Sequence, residues 1–143
     1  MTSEDSVNAL VDALVRSTFH VTGVLTRIGA ENDLSLTQLR VLGILRDRRP
    51  RVTELAAYLG LDKSTMSGLI DRAERRGLLT RGRNPHDGRA VDVFLTPAGH
   101  ELTKRLYLEV RDTLAPALGR LRPEQRAQLL ALLQPLLDPA AAR

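Results

Sequence analysis

No cysteine occurs anywhere in the 143 residues, which removes disulfides, zinc–thiolate sites and thiol redox sensing from consideration. Tryptophan is also absent, and the aromatic side chains amount to two Phe and two Tyr. Leu, Val and Ala must therefore fill the core, and that composition favours helices. No apolar run approaches the roughly 20 residues needed to cross a bilayer. The first residues, MTSEDSVNALVDALV, carry no basic region or cleavage site. A cytoplasmic protein with no membrane partner is expected. The three histidines, His20, His86 and His100, lack metal-ligand spacing, and neither a glycine-rich phosphate loop nor a nucleophile elbow is present. No enzyme, metal site or cofactor is expected.

Charge of one sign is concentrated in one place. The whole chain carries a formal net charge of +4. Between Lys63 and Arg89, seven cations face only three acids (Asp71, Glu74 and Asp87), so this window alone accounts for that excess. A local basic patch favours a polyanionic partner. Its first part, Asp62 to Gly77, reads as a helix: Met66, Leu69, Ile70 and Ala73 repeat at i, i+3, i+4, i+7 and share one side. Asp62 is a suitable N-cap and Gly77 a suitable left-handed exit. Ser64, Gly68, Asp71 and Arg75 point away from the stripe, with Lys63, Ser67 and Arg72 on its flanks. An ordinary surface helix would carry the same stripe. However, small hydroxyl residues followed by cations also suit a helix that enters a DNA major groove. Two strands follow, Leu78 to Arg83 and Arg89 to Leu95, with Val91, Val93 and Leu95 alternating and Asn84–Gly88 supplying the turn. A helix followed by a basic hairpin is the order of a winged helix-turn-helix.

Residues 53–99 resemble the MarR family of bacterial transcriptional regulators. The resemblance is carried by TELAAYLGLDKSTMSGLIDRAERRGLL and RNPHDGRAVDVFLTPAG, by Asp87-Gly88-Arg89 as the wing's Asp-x-Arg signature, and by Leu95-Thr96-Pro97-Ala98-Gly99 as a Leu-Thr-x-x-Gly helix opening. It extends over nearly the whole chain. It implies a homodimer on double-stranded DNA and a small aromatic or anionic effector, which nothing in the sequence identifies. The residues expected to meet DNA are Lys63, Ser64, Thr65, Ser67, Gly68, Arg72, Arg75, Arg83, His86, Asp87 and Arg89. Asp87 could hold the guanidinium of Arg89 or Arg83, or serve only as a turn residue. His86 fits a phosphate contact or a plain turn position.

The remaining chain fits around this lobe. From about residue 5 to 30, Val7, Leu14, Val21 and Ile28 recur every seven residues, as do Val11, Thr18 and Leu25; this a/d seam suits another helix. A second helix is expected from Leu36 to about Arg48, with Ser35 and Gln38 as its capping box and Pro50 as its stop. A third, Glu54 to Leu59, would be capped by Thr53 and ended by Gly60, with Tyr58 in the core. Thr96 and Pro97 open a fifth helix, expected to kink or end near Pro116. A sixth follows Pro123, interrupted by Pro135, and its leucine doublets from Leu129 to Leu137 form a face too apolar for a lone surface helix.

The expected fold is mainly α with a small β-hairpin wing. It forms one domain over residues 1–143: about 5–34 and 100–138 as dimerisation helices, and about 35–99 as the winged helix-turn-helix lobe. The expected function is a DNA-binding regulator, a repressor on pseudo-palindromic operators; the alternative is a winged-helix protein-interaction module without specific DNA binding.

Overall fold

The computed structural model describes residues 1–138; the last five residues of the expected domain span lie outside them. The elements run α1 (Ser3–Glu31), α2 (Leu36–Leu45), α3 (Val52–Leu59), α4 (Lys63–Arg75), β1 (Leu79–Asn84), β2 (Asp87–Leu95), α5 (Pro97–Leu118) and α6 (Pro123–Leu137). The mainly helical architecture with one antiparallel hairpin is the expected one. The chain forms two compact units, residues 1–108 and 109–143.

In the first unit, α1 begins at Ser3, two residues before the expected start near residue 5. Thr2 is the cap: its hydroxyl accepts from the Asp5 amide at 3.1 Å, and the Asp5 carboxylate accepts from the Thr2 amide at 3.0 Å. The helix is unevenly covered. Val24, Ile28 and Gly29 near its end are buried, whereas Val7, Leu10, Val11, Leu14, Val15 and Phe19 are 45–72% exposed. The heptad seam therefore enters the core only in its last turns.

The predicted capping box of α2 is present: the Ser35 hydroxyl accepts from the Gln38 amide, and the Gln38 side chain accepts from the Ser35 amide at 2.7 Å. The helix stops at Leu45, not Arg48. The chain leaves early because residues 49–51 run extended beside the hairpin: the Val93 amide donates to the Pro50 carbonyl at 2.9 Å, and Arg51 bridges to Asp92. This path moves the next start as well. The N-cap of α3 is Arg51, with the Glu54 side chain reaching back to its amide, and Thr53 lies inside the helix. Tyr58 is 54% exposed, against a core expectation, and its ring faces the Arg40 guanidinium at 5.4 Å.

Both helix-internal prolines are tolerated. Pro116 lies in the last turn of α5 and Pro135 in the last turn of α6. Near a C-terminus a proline removes one amide donor without propagating a break. In the second unit α6 opens with the Gln125 side chain accepting from the Arg122 amide at 2.9 Å. The side chains of Leu129, Leu130, Leu132, Leu136 and Leu137 are exposed.

The core of the first unit comprises Ile28, Leu42, Leu45, Leu55, Met66, Ile70, Leu79, Val93, Leu95 and Leu106, each at most 4% exposed. Gly99 explains the glycine of the Leu-Thr-x-x-Gly opening. A Cβ at this position would collide with the Leu78 carbonyl oxygen, and the same carbonyl accepts from the Thr96 amide. Gly99→Ala must push α5 off the exit of α4. The expected loss is about 1–3 kcal/mol, read as a lowered thermal midpoint. An unchanged midpoint would show that this junction is not close-packed.

Candidate nucleic-acid interface

Helix α4 presents its surface because its other side is fixed. Met66 and Ile70 are fully buried and Ala73 is 8% exposed, with Leu69 half-buried, as the periodicity requires. The Asp62 carboxylate accepts from the Thr65 amide at 2.7 Å and from the Ser64 hydroxyl at 2.9 Å. These bonds, the Thr65 amide first, hold its carboxyl below the ordinary value of 3.8. Gly77 leaves the helix at φ +72°. Lys63, Ser64, Thr65, Arg72 and Arg75 are exposed, and Ser67 and Gly68 are half-buried.

A depressed folded value means that the stabilisation from Asp62 is fully present above 3.8 and is lost as pH falls through the lower folded value. Asp62→Asn lacks this titration. The thermal advantage of the unaltered protein over Asp62→Asn is expected to be constant at neutral pH and to shrink in that acid window. A constant difference down to pH 3 would contradict the capping role.

The cations of the basic window separate into two groups. Arg81 is committed internally: its guanidinium meets Asp71 at 2.7 Å and Glu74 at 2.8 Å, linking β1 to α4. Arg76 donates to the carbonyls of Asn32 and Asp33 at 3.0 and 2.8 Å, which fastens the end of α4 to the end of α1. Arg75 leans on the Asp71 carbonyl at 3.4 Å. The side chains of Lys63, Arg72, Arg83 and Arg89 have no ion pair or hydrogen bond among the described residues and remain available for an external anion.

The wing owes its shape to a register shift. Pairs run from Leu79↔Leu95 to Arg83↔Val91, and the next pair is Asn84↔Asp87. Gly88, Arg89 and Ala90 are thus left opposite no residue of β1. Such a bulge re-aims side chains, and here it places Arg89 on the rim. The turn itself is tighter than the expected five residues. Pro85 and His86 form it, and the Asn84 side-chain oxygen accepts from the amides of His86 (2.8 Å) and Asp87 (3.1 Å). The Asp87 carboxylate does not hold the guanidinium of Arg89 or Arg83. One oxygen accepts from the Arg89 amide at 3.0 Å and the other faces Arg51 at 3.8 Å. A turn needs that backbone bond, and Arg51 is the cation within reach. Two side chains missed in the sequence are thereby part of the surface. Arg51 and Thr53 line an open groove of about 450 Å³ with Lys63, Arg81, Asp87, Arg89 and Val91. Lys63 and Arg89, the two lining cations without an internal partner, suit a strand of phosphates.

A further group went unnoticed in the sequence. Asp92 is 1% exposed, on a strand where alternation marks only Val91, Val93 and Leu95. Its carboxylate accepts from Asn84 Nδ2 at 3.0 Å and from Arg49 Nε at 3.1 Å. These bonds, with Asn84 first, outweigh desolvation and keep it below the ordinary carboxylate value.

Comparison with known proteins agrees with this geometry. A model of the MarR family matches residues 32–90. An uncharacterised helix-turn-helix transcriptional regulator of Bacillus subtilis, YkoM, is 31% identical over 76% of this chain and 71% of its own length. Among solved structures, a MarR family protein from Bacillus stearothermophilus superposes with a TM-score of 0.82 at 24% identity, covering 95% of this chain and 96% of that one. A mutant MarR from E. coli complexed with operator DNA gives 0.68 at 23% identity, covering 96% and 100%. Both likenesses are of fold.

Proposed function

The chain belongs to the MarR family of helix-turn-helix transcriptional regulators, and from that premise we propose that it is a homodimeric repressor that grips pseudo-palindromic operators with α4 and the wing. The observation that carries this reading is the free set of Lys63, Arg72, Arg83 and Arg89 on the two elements that a winged helix applies to a duplex. In the proposal Lys63, Ser64, Thr65, Ser67, Gly68, Arg72 and Arg75 face the major groove and its flanking phosphates. Arg83 and Arg89 approach the minor groove, where negative potential is strongest, with His86 and Asp87 at the wing tip. Residues 35–99 form the DNA-binding lobe. Helical residues 5–34 and 100–138 form the dimerisation region, supported by the uncovered leucines and valines of α1 and α6. A small aromatic or anionic effector belongs to the same proposal. The small pocket lined by Leu34, Val41, Leu42, Leu69 and Ile70 has about 10 Å³, room for one water at most, so an effector would need another place.

A salt titration tests the proposal. Duplex affinity is expected to fall steeply, with a log–log slope of about −0.9 per phosphate neutralised. Affinity that hardly changes between low and moderate salt would overturn the electrostatic part and favour a protein-interaction module.

A further inference from the structure

The α2–α3 loop reaches across to the wing, and the contact is made by groups that cannot separate without cost. Arg49 lies flat on the Phe94 ring, its guanidinium carbon 4.0 Å from the centroid. Its Nε donates to the buried carboxylate of Asp92 at 3.1 Å, and its Nη2 to the backbone carbonyl of Arg83 at 3.4 Å. Asn84 completes the group, with its amide nitrogen on Asp92 and its oxygen on the turn amides. Arg49 is thus bonded to the strand position of one arginine proposed to face the groove and, through Asp92 and Asn84, to the turn that precedes the bulge bearing the other. A stacked, hydrogen-bonded guanidinium loses little further freedom when DNA arrives, and only the planar fork makes all three contacts together.

We propose that Arg49 is a positioning residue for DNA binding: it sets the angle of the wing relative to α4, and so where Arg83 and Arg89 meet the duplex, without itself touching DNA. This rests on the reading of the wing as a DNA contact. The alternative role, a direct phosphate contact by its partly exposed guanidinium, makes opposite predictions.

The test uses a duplex enriched by the unaltered full-length protein from a randomised pool, with affinities measured over a range of salt. Arg49→Ala is expected to weaken binding by about 2- to 30-fold, the range for residues that act on a site without touching the ligand. Arg49→Lys should fail to restore affinity because a point charge neither stacks on Phe94 nor bridges the two oxygens. Adding Arg83→Ala or Arg89→Ala to Arg49→Ala should cost less than either costs alone, since a misdirected wing has less to lose. Asp92→Asn, which preserves shape, should show the same non-additivity and supplies the cycle if Arg49→Ala does not fold. Rescue by lysine, or full additivity with Arg83 and Arg89, would overturn the proposal while leaving the wing reading intact. Normal binding by Arg83→Ala and Arg89→Ala in the otherwise unaltered protein would overturn both.

Discussion

Deleting the chain after Leu121 is expected to leave monomer or aggregate and to abolish operator binding. The truncation removes all of α6 (Pro123–Leu137) and with it the exposed leucines of that helix. On α1, Val7, Leu10, Val11, Leu14, Val15 and Phe19 are also uncovered. Isolated exposed apolar residues need no explanation, but runs on two helices do. In a two-fold dimer each such face is met by the same pair of faces. The consequence for DNA is larger than the consequence for the lobe. A single lobe keeps α4 and the wing but loses the linked second half-site, which can contribute about 10²–10⁴ in affinity. Light scattering on both proteins checks the assembly, and electrophoretic mobility of the bound duplex checks the function. A folded full-length monomer, or a truncated chain that still dimerises, would refute this assignment.

The second large effect separates wing from helix. Arg89→Ala removes an unpaired side chain from an exposed bulge, so the thermal midpoint should hold while duplex affinity falls more than about tenfold, or 1.4 kcal/mol. Arg72→Ala should behave differently. Its guanidinium is exposed and passes 3.6 Å from the position a Cβ would take on Gly68, on the face proposed to approach bases. The expected result is a changed base preference, at about 1–3 kcal/mol per lost base contact. Ser67→Ala should have a weaker effect of the same kind, because Ser67 is half-buried beneath Arg81, which bonds its carbonyl. Isothermal binding to a panel of single-base operator variants distinguishes the two classes. Arg89→Ala with unchanged affinity and Arg72→Ala with unchanged preference would mean that the reading surface lies elsewhere.

What the sequence disclosed, and what it did not, follows from the range of the forces involved. The inward stripe of α4, the Asp62 cap, the Ser35–Gln38 box and the left-handed Gly77 are decided within four residues, and periodicity or capping rules express them directly. The Asp-x-Arg and Leu-Thr-x-x-Gly segments carried the resemblance, and strand alternation with the turn residues Asn84–Gly88 placed the wing. Its bulge escaped because the residues Gly88 to Ala90 look like ordinary turn and strand. Asp92 escaped for a different reason. A carboxylate between two valines reads as the solvent side of an alternating strand, and it is Asn84 across the hairpin and Arg49, 43 residues earlier, that satisfy it in the interior. The same loop explains the misplaced ends: α2 stops at Leu45 and Arg51 caps α3 because residues 49–51 are held by β2. Tyr58 fails as a core residue because a neighbouring helix offers Arg40 rather than an apolar wall. Of the two roles open to Asp87, the turn role is the one seen: its carboxylate accepts from the Arg89 amide, and its other oxygen faces Arg51, out of sight in the sequence.

The central claim is that this chain reads DNA sequence as a two-fold pair of α4 helices and wings. Selection from a randomised duplex pool by the purified full-length protein, followed by sequencing of the retained fragments, tests it most directly. The account predicts one enriched motif made of two inverted half-sites whose centres lie about 10 base pairs apart, the spacing that puts both recognition helices on one face of the duplex. Retention of duplexes with no shared motif, or of none at moderate salt, would contradict it.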